Sequence, residues 1–198
     1  MSLDTLLALI AFAFVTSVTP GPNNFMLLAS GVNFGLVRTL PHMLGIGTGF
    51  CSLLLGVGLG LGALLAAFPV LETVLKIAGG SYLLYLAWRI ATSRSMGKGE
   101  ADVARPMRFL EAAAFQWVNP KAWTMALTAI TLYAPDRTLA SIALVAAIFG
   151  AINLPSVSTW TVLGQQVSRV LSSPARLRAF NWTMAALLVA SLIPVLYH

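Results

Sequence analysis

Two short stretches, Thr19-Pro20-Gly21-Pro22-Asn23-Asn24 and Asn119-Pro120-Lys121, set helix breakers beside polar side chains inside otherwise apolar sequence. Proline carries no N–H and its ring clashes with the preceding turn, so each stretch frees backbone groups from helical bonding. The helical segments that restart at Pro22-Asn23 and at Pro120-Lys121 turn N–H groups and the positive end of a helix dipole toward an anion such as a carboxylate. The carbonyls that end the preceding segments, near Val18 and Val118, would accept hydrogen bonds from an ammonium group, helped by the side chains of Thr19, Asn23 and Asn119. A zwitterionic amino acid meets both demands.

Lys121 is the ionisable residue nearest to the middle of an apolar segment, which makes it a functional candidate by default. It can pair with a substrate carboxylate or cycle a proton in exchange for substrate; the competing reading is a lysine that snorkels to an interface. Gln116 and Tyr82 can add amide and hydroxyl contacts, although packing and aromatic-belt roles are commoner for such residues. Glu72 and Lys76 have i,i+4 spacing and read first as an interfacial pair, with a share in proton movement for Glu72 as the second reading. Asn153-Leu154-Pro155 is a candidate third kink that faces the cavity. The single cysteine, Cys51, and the widely separated His42 and His198 leave no metal cluster to assemble. No Ser-His-Asp set or paired carboxylate points to an enzyme, and no cofactor is implied.

These groups need elements to hold them, and composition says which. The 198 residues are 58% hydrophobic and 9% charged, with 12 Lys plus Arg, 6 Asp plus Glu and a mean hydropathy of +0.85, where a soluble domain carries roughly 25% charged residues. Thr5 to Val37, Thr39 to Leu71, Thr138 to Ser168 and Ala179 to His198 contain no Asp, Glu, Lys or Arg, and each exceeds or approaches the roughly 20 helical residues that cross a bilayer. Pro69 to Thr92 and Phe109 to Tyr133 are less clean. The expected architecture is an all-α membrane bundle of six transmembrane helices at 3–34, 39–67, 70–92, 109–133, 138–163 and 179–197, because only helices or closed barrels satisfy their backbone in lipid. Leu6 to Val18 resembles the core of a signal peptide, but Met1, Ser2 and Asp4 supply no positive start and no small-x-small cleavage site follows, so the segment reads as retained. The glycines of the second helix, Gly45, Gly47, Gly49, Gly56, Gly58, Gly60 and Gly62, read as close-contact or homodimer positions.

Both breaks fall near the midpoints of their helices. Groups freed there cost several kcal/mol each if they face lipid, so the breaks should face protein or water. A packing kink is the competing reading for a single proline; a matched pair at one depth favours a substrate site. Three helices per half require two inverted halves, expected at 1–92 and 109–198 with a linker at 93–108. Pro20 and Pro120 lie 100 residues apart, and Arg38-Thr39-Leu40 recurs 99 residues later as Arg137-Thr138-Leu139. Arg38, Arg89, Arg94, Lys98, Arg105, Arg108, Arg169, Arg176 and Arg178 fall on one side of these helices, which places that side in the cytoplasm and both termini outside. The basic pI of 10.1 thus has a topological cause, and nucleic acid is not an expected partner.

Thr19-Pro20-Gly21-Pro22-Asn23, the run from Leu75 through Gly79-Gly80-Ser81-Tyr82-Leu83 with Trp88-Arg89, and Asn119-Pro120-Lys121-Ala122 resemble the LysE/RhtB family of bacterial amino-acid exporters over essentially the whole chain. The resemblance implies export of an amino acid across the inner membrane, driven by the proton motive force. Phe115-Gln116-Trp117-Val118-Asn119-Pro120-Lys121-Ala122-Trp123 looks closer to the homoserine, threonine and cysteine branch than to the lysine exporter. Homoserine, threonine, cysteine or O-acetylserine is the expected kind of substrate, since no buried carboxylate is available for a dibasic side chain. The rival functions are a passive small-solute channel and a non-transporting assembly subunit.

Overall fold

The computed structural model describes residues 1–93, 105–171 and 173–193, and the regular structure in them is helical throughout. In chain order the helices are α1 Leu3–Val18, α2 Pro22–Gly56, a π-helical turn Val57–Leu61, α3 Gly62–Ala67, α4 Pro69–Ala91, α5 Phe109–Gln116, α6 Pro120–Tyr133, α7 Leu139–Ser168 and α8 Pro174–Ala190. Most of the linker expected at 93–108, including Arg94 and Lys98, lies outside the described residues, as do the last residues of the sixth expected helix.

Local chemistry sets these boundaries. Pro22, Pro69, Pro120 and Pro174 open α2, α4, α6 and α8, where a missing N–H is no loss because the first turn has no acceptor for it. Asn119, Thr138 and Ser173 cap α6, α7 and α8 with side-chain oxygens. The sixth helix begins at Pro174 rather than at 179, because the Ser173 cap outweighs the polar first turn that carries Arg176 and Arg178. The fifth continues past 163 to Ser168, the polar residues of its last turns being as helical as the apolar ones before them.

Two expectations change more substantially. The connection expected between 34 and 39 shrinks to one residue, Gly35, at φ 76° and ψ 173°. The bend frees the Leu36 N–H, which donates to Gln165 Oε1 at 2.9 Å, while the hydroxyls of Ser30 and Thr39 meet across it at 2.8 Å. At Asn153-Leu154-Pro155, where a third kink is expected, α7 continues through Pro155 with helical backbone instead of breaking as the chain does at Pro20 and Pro120, and the Ser158 and Thr159 hydroxyls bond back to the Leu154 and Pro155 carbonyls one turn earlier.

The two segments of α2 form the spine, packed on α7 and α5. A Cβ built on Gly31 would run into the Thr161 carbonyl, and one on Gly164 into the Leu28 carbonyl, so paired glycines let two backbones touch where α2 crosses α7. Gly45 and Gly49 abut the backbone of α5 at Phe109 and Ala113, and Gly58 meets Ile142. Most glycines of the second helix are thus used in contacts within one chain, whereas a Cβ on Gly60 would meet nothing within 4 Å. Leu9, Phe50, Ile130 and Phe149 fill one core cluster; Leu27, Met43, Leu83 and Phe115 fill another. Outside them, Leu7, Ile10, Phe14, Val74, Leu84 and Trp88 are exposed, an apolar exterior suited to lipid. Pro22–Ala67, Pro69–Ala91 and Leu139–Ser168 are each long and apolar enough to cross a membrane.

Candidate functional site

The two interruptions meet. α1 ends at Val18 and α2 restarts at Pro22; α5 ends at Gln116 and α6 restarts at Pro120. Lys121 projects from the first turn of α6, and its Nζ donates to the Thr19 carbonyl oxygen at 2.6 Å. Beside it, Asn23 and Gln116 form a reciprocal amide pair, Asn23 Nδ2 to Gln116 Oε1 at 2.8 Å and Gln116 Nε2 to Asn23 Oδ1 at 3.1 Å. Gln116 is anchored further by donating to the Ala112 carbonyl at 2.9 Å. These bonds join residues about a hundred positions apart, and they bring Thr19, Gly21, Asn23, Gln116, Asn119, Pro120 and Lys121 into one cluster.

The freed backbone groups are largely occupied by side chains. Asn24 Nδ2 donates to the Ser17 carbonyl at 3.0 Å and the Thr19 carbonyl at 2.9 Å, and Trp160 Nε1 reaches the Val18 carbonyl at 3.3 Å. Asn119 Oδ1 accepts the Lys121 amide at 3.2 Å, so α6 spends one leading N–H on its own cap. The Thr19 hydroxyl bonds back to the Val15 carbonyl, and the Val118 carbonyl packs against Gly79 of α4. The expectation of open carbonyls therefore needs correction at the first break, where Asn24, Trp160 and the Lys121 ammonium fill them; acceptors facing lipid are too costly to leave empty.

A cavity of about 30 Å³ lies inside the cluster, lined by Ser17, Gly21, Asn23, Asn119, Lys121 and Asn153 among others. Ser17 Oγ and Asn153 Oδ1 are buried there with no hydrogen-bond partner among the described residues. Buried polar atoms are nearly always paired, so these two mark places where a ligand or water belongs. Both can accept a hydrogen bond and Lys121 is a cationic donor, so the lining offers partners to an ammonium and to a carboxylate.

Two sequence candidates stand apart. Tyr82 of α4 stacks on Phe115 and Tyr85, with ring centroids 5.8 and 5.9 Å away, and is not among the residues lining the cavity. Glu72 pairs with Lys76 at 2.8 Å on the exposed first turns of α4, as the interfacial reading expects. Pro20 is exposed at the outer rim of the break. Sequence reasoning passed over Ser17 and Trp160, named Asn24 only as part of the break, and set Asn153 at a kink facing the cavity, whose lining it joins. A signal was present for Asn24 and Asn153, amides within charge-free apolar runs; Ser17 and Trp160 look like ordinary helix residues until α1 and α7 are brought together.

Comparison with known proteins places this geometry in context. The chain is 32% identical over 188 residues to a cysteine/O-acetylserine efflux protein of Klebsiella pneumoniae, with 92% of each chain covered. It is 29% identical over 189 residues to the protein of the same name in Escherichia coli K12, with 94% of each covered. No solved structure matches. The model of the LysE type translocators matches residues 14–196, which takes in both interruptions and the cavity between them, and the chain belongs to that family.

Proposed function

We propose that this protein is a secondary exporter of a small neutral amino acid, cysteine or O-acetylserine in kind, which binds between the two broken helices. The observation that carries the reading is the Lys121 ammonium on the Thr19 carbonyl, at the edge of a cavity whose other polar atoms include two unpartnered acceptors. Lys121 occupies a position that would suit a substrate ammonium. An arriving carboxylate draws Lys121 off Thr19 into a charge-assisted pair, and the substrate ammonium takes the vacated carbonyl together with Ser17 Oγ and Asn153 Oδ1. Departure of the substrate returns Lys121 to Thr19, so the lysine and the ammonium alternate at one acceptor. Coupling to an inward proton fits a lysine that changes partner in each cycle. Relatives named for cysteine and O-acetylserine efflux support the substrate class.

The proposed architecture is six spans in two inverted halves, 1–92 and 109–198, rocking about the cavity to give alternating access. The corresponding positions of the two breaks and their contact support it. The protein would lie in the inner membrane with its basic loops in the cytoplasm and both termini outside. One chain supplies both broken helices, so a homodimer is not required for the site.

Purified protein in liposomes tests this. Labelled O-acetylserine should enter faster when unlabelled substrate waits on the far side; a channel would show no such acceleration, and an assembly subunit no uptake. Lys121→Met should lower uptake at least about 30-fold, the equivalent of roughly 2 kcal/mol for removing one partner of a buried charge pair. Uptake within a factor of a few of the parent protein would remove Lys121 from the cycle.

A further inference from the structure

A second polar cavity, of about 60 Å³, lies between α2, α4 and the residues leading into α5. Its lining includes Ser30, Asn33, His42, Arg89, Ser93 and Arg105. His42 is 1% exposed, and among the described residues neither Nδ1 nor Nε2 has a hydrogen-bond partner. An imidazole always offers at least one N–H donor, so burying both nitrogens unmet calls for a ligand or water in the cavity.

The charges around His42 identify the kind of ligand. Glu111 of α5 holds Arg105 through two bonds, Arg105 Nη1 to Glu111 Oε2 at 2.8 Å and Nη2 to Oε1, and also accepts the Arg108 amide at 2.9 Å. That carboxylate is spent. Arg89 of α4 donates to the Arg105 carbonyl at 3.2 Å and lies over the Tyr85 ring at 5.9 Å, and among the described residues no carboxylate pairs with it. The neutral groups are committed elsewhere: Ser30 to Thr39 at 2.8 Å, and Asn33 to Asn181 at 2.9 Å and to Ser93 at 3.3 Å. What remains is the positive charge of Arg89 and the N–H of His42, which together suit an anion. The volume equals about two waters, enough for a carboxylate group.

The cavity also lies in line with the central one. His42, Ile46 and Phe50 recur every four residues on α2 and so share a face; His42 lines the outer cavity, Ile46 and Phe50 the central one. In the first segment of α2, Asn23 and Asn24 line the central cavity, and Met26 and Ser30 the outer.

We propose that this outer cavity is a carboxylate-binding station, at which Arg89 and His42 hold the carboxylate of an amino acid before it passes to the central cavity. The amino acid as occupant rests on the exporter reading above; the carboxylate chemistry does not. His42 and His198 are the two histidines of the chain, so imidazole ¹⁵N spectra of the purified full chain, assigned with His42→Asn, report on the station directly. Sodium acetate added at constant pH and ionic strength against sodium chloride should move the His42 resonances to saturation, and chloride alone should not. Arg89→Gln should raise the acetate concentration at half-saturation about tenfold, as loss of a charged hydrogen bond does. Lys121→Met should leave it within about twofold, as expected of a separate site. In inverted vesicles, Arg89→Gln should raise KM for O-acetylserine about tenfold with the maximal rate little changed.

A His42 signal unmoved by acetate, an equal response to chloride, or a response lost in Lys121→Met but kept in Arg89→Gln would each overturn the station. If acetate shifts His42 as described while the unaltered protein moves no amino acid into liposomes, the station stands and the exporter reading falls.

Discussion

Gly21 has φ −176°, an extended backbone that any residue adopts, so its role is space rather than conformational freedom. A Cβ there would lie 2.8 Å from Lys121 Cδ and 3.1 Å from Lys121 Nζ. The end of a lysine chain can move aside, so Gly21→Ala should fold and yet displace the ammonium from Thr19. We expect initial transport to fall at least about tenfold, the loss of one charged hydrogen bond, while the detergent melting temperature moves by no more than about 4 °C. Gly80→Ala is the control, since a Cβ there meets nothing closer than Leu192 Cδ2 at 3.9 Å. Parallel loss in both variants would mean that any added methyl disturbs the bundle. The sequence marks Gly21 as a breaker between two prolines; its fit to a side chain 100 positions away becomes visible only once the halves are docked.

The helices themselves are legible because lipid imposes a simple rule: long apolar runs must be helical, and a proline removes a hydrogen bond wherever it falls inside one. At Val18 to Pro22 and Gln116 to Pro120, where prolines stand beside glycine or asparagine, the interruptions fall where expected. The bend at Gly35 is not legible in the sequence, because whether a glycine turns a helix depends on what satisfies the freed groups, and that is tertiary information: Gln165 takes the Leu36 N–H there, while α7 keeps helical backbone through Pro155. The crossing of Gly31 and Gly164 was hidden likewise, because small residues are common in membrane helices and nothing in their spacing names the partner. Gly31→Ala and Gly164→Ala each push a methyl into backbone, which cannot rotate away, so each should destabilise the protein by about 1–3 kcal/mol. The two lie at one contact, and the double variant should cost measurably less than their sum. Additive losses in a denaturation series would show that the helices do not touch there.

At the scale of the whole molecule, a side-chain network holds together one end of the bundle, where several of the basic residues lie. Asn33 near the end of the first α2 segment, Ser93 just after α4 and Asn181 in α8 are hydrogen-bonded to one another: Asn33 Nδ2 to Asn181 Oδ1 at 2.9 Å, Asn181 Nδ2 to the Ser93 carbonyl at 3.0 Å and Ser93 Oγ to Asn33 Oδ1 at 3.3 Å. They gather Arg38, Arg89 and Arg178 toward the same end, close to the outer cavity with its Arg105. Asp136 and Arg137 lie between α6 and α7, on the far side of α6 from the Lys121 cluster. A one-sided basic surface is retained in the cytoplasm, so a fluorescent protein fused after Met96 should fold and glow, and an alkaline phosphatase fused after Asp136 should be active outside. The outer cavity would then open toward the cytoplasm, where an exporter must first meet its substrate. The reverse pattern would turn the molecule over, and the Arg89 and His42 station would become an exit rather than an entrance. A reporter pattern that put Met96 and Asp136 on the same side would instead break the six-span arrangement, because the single crossing at 109–133 is what separates them.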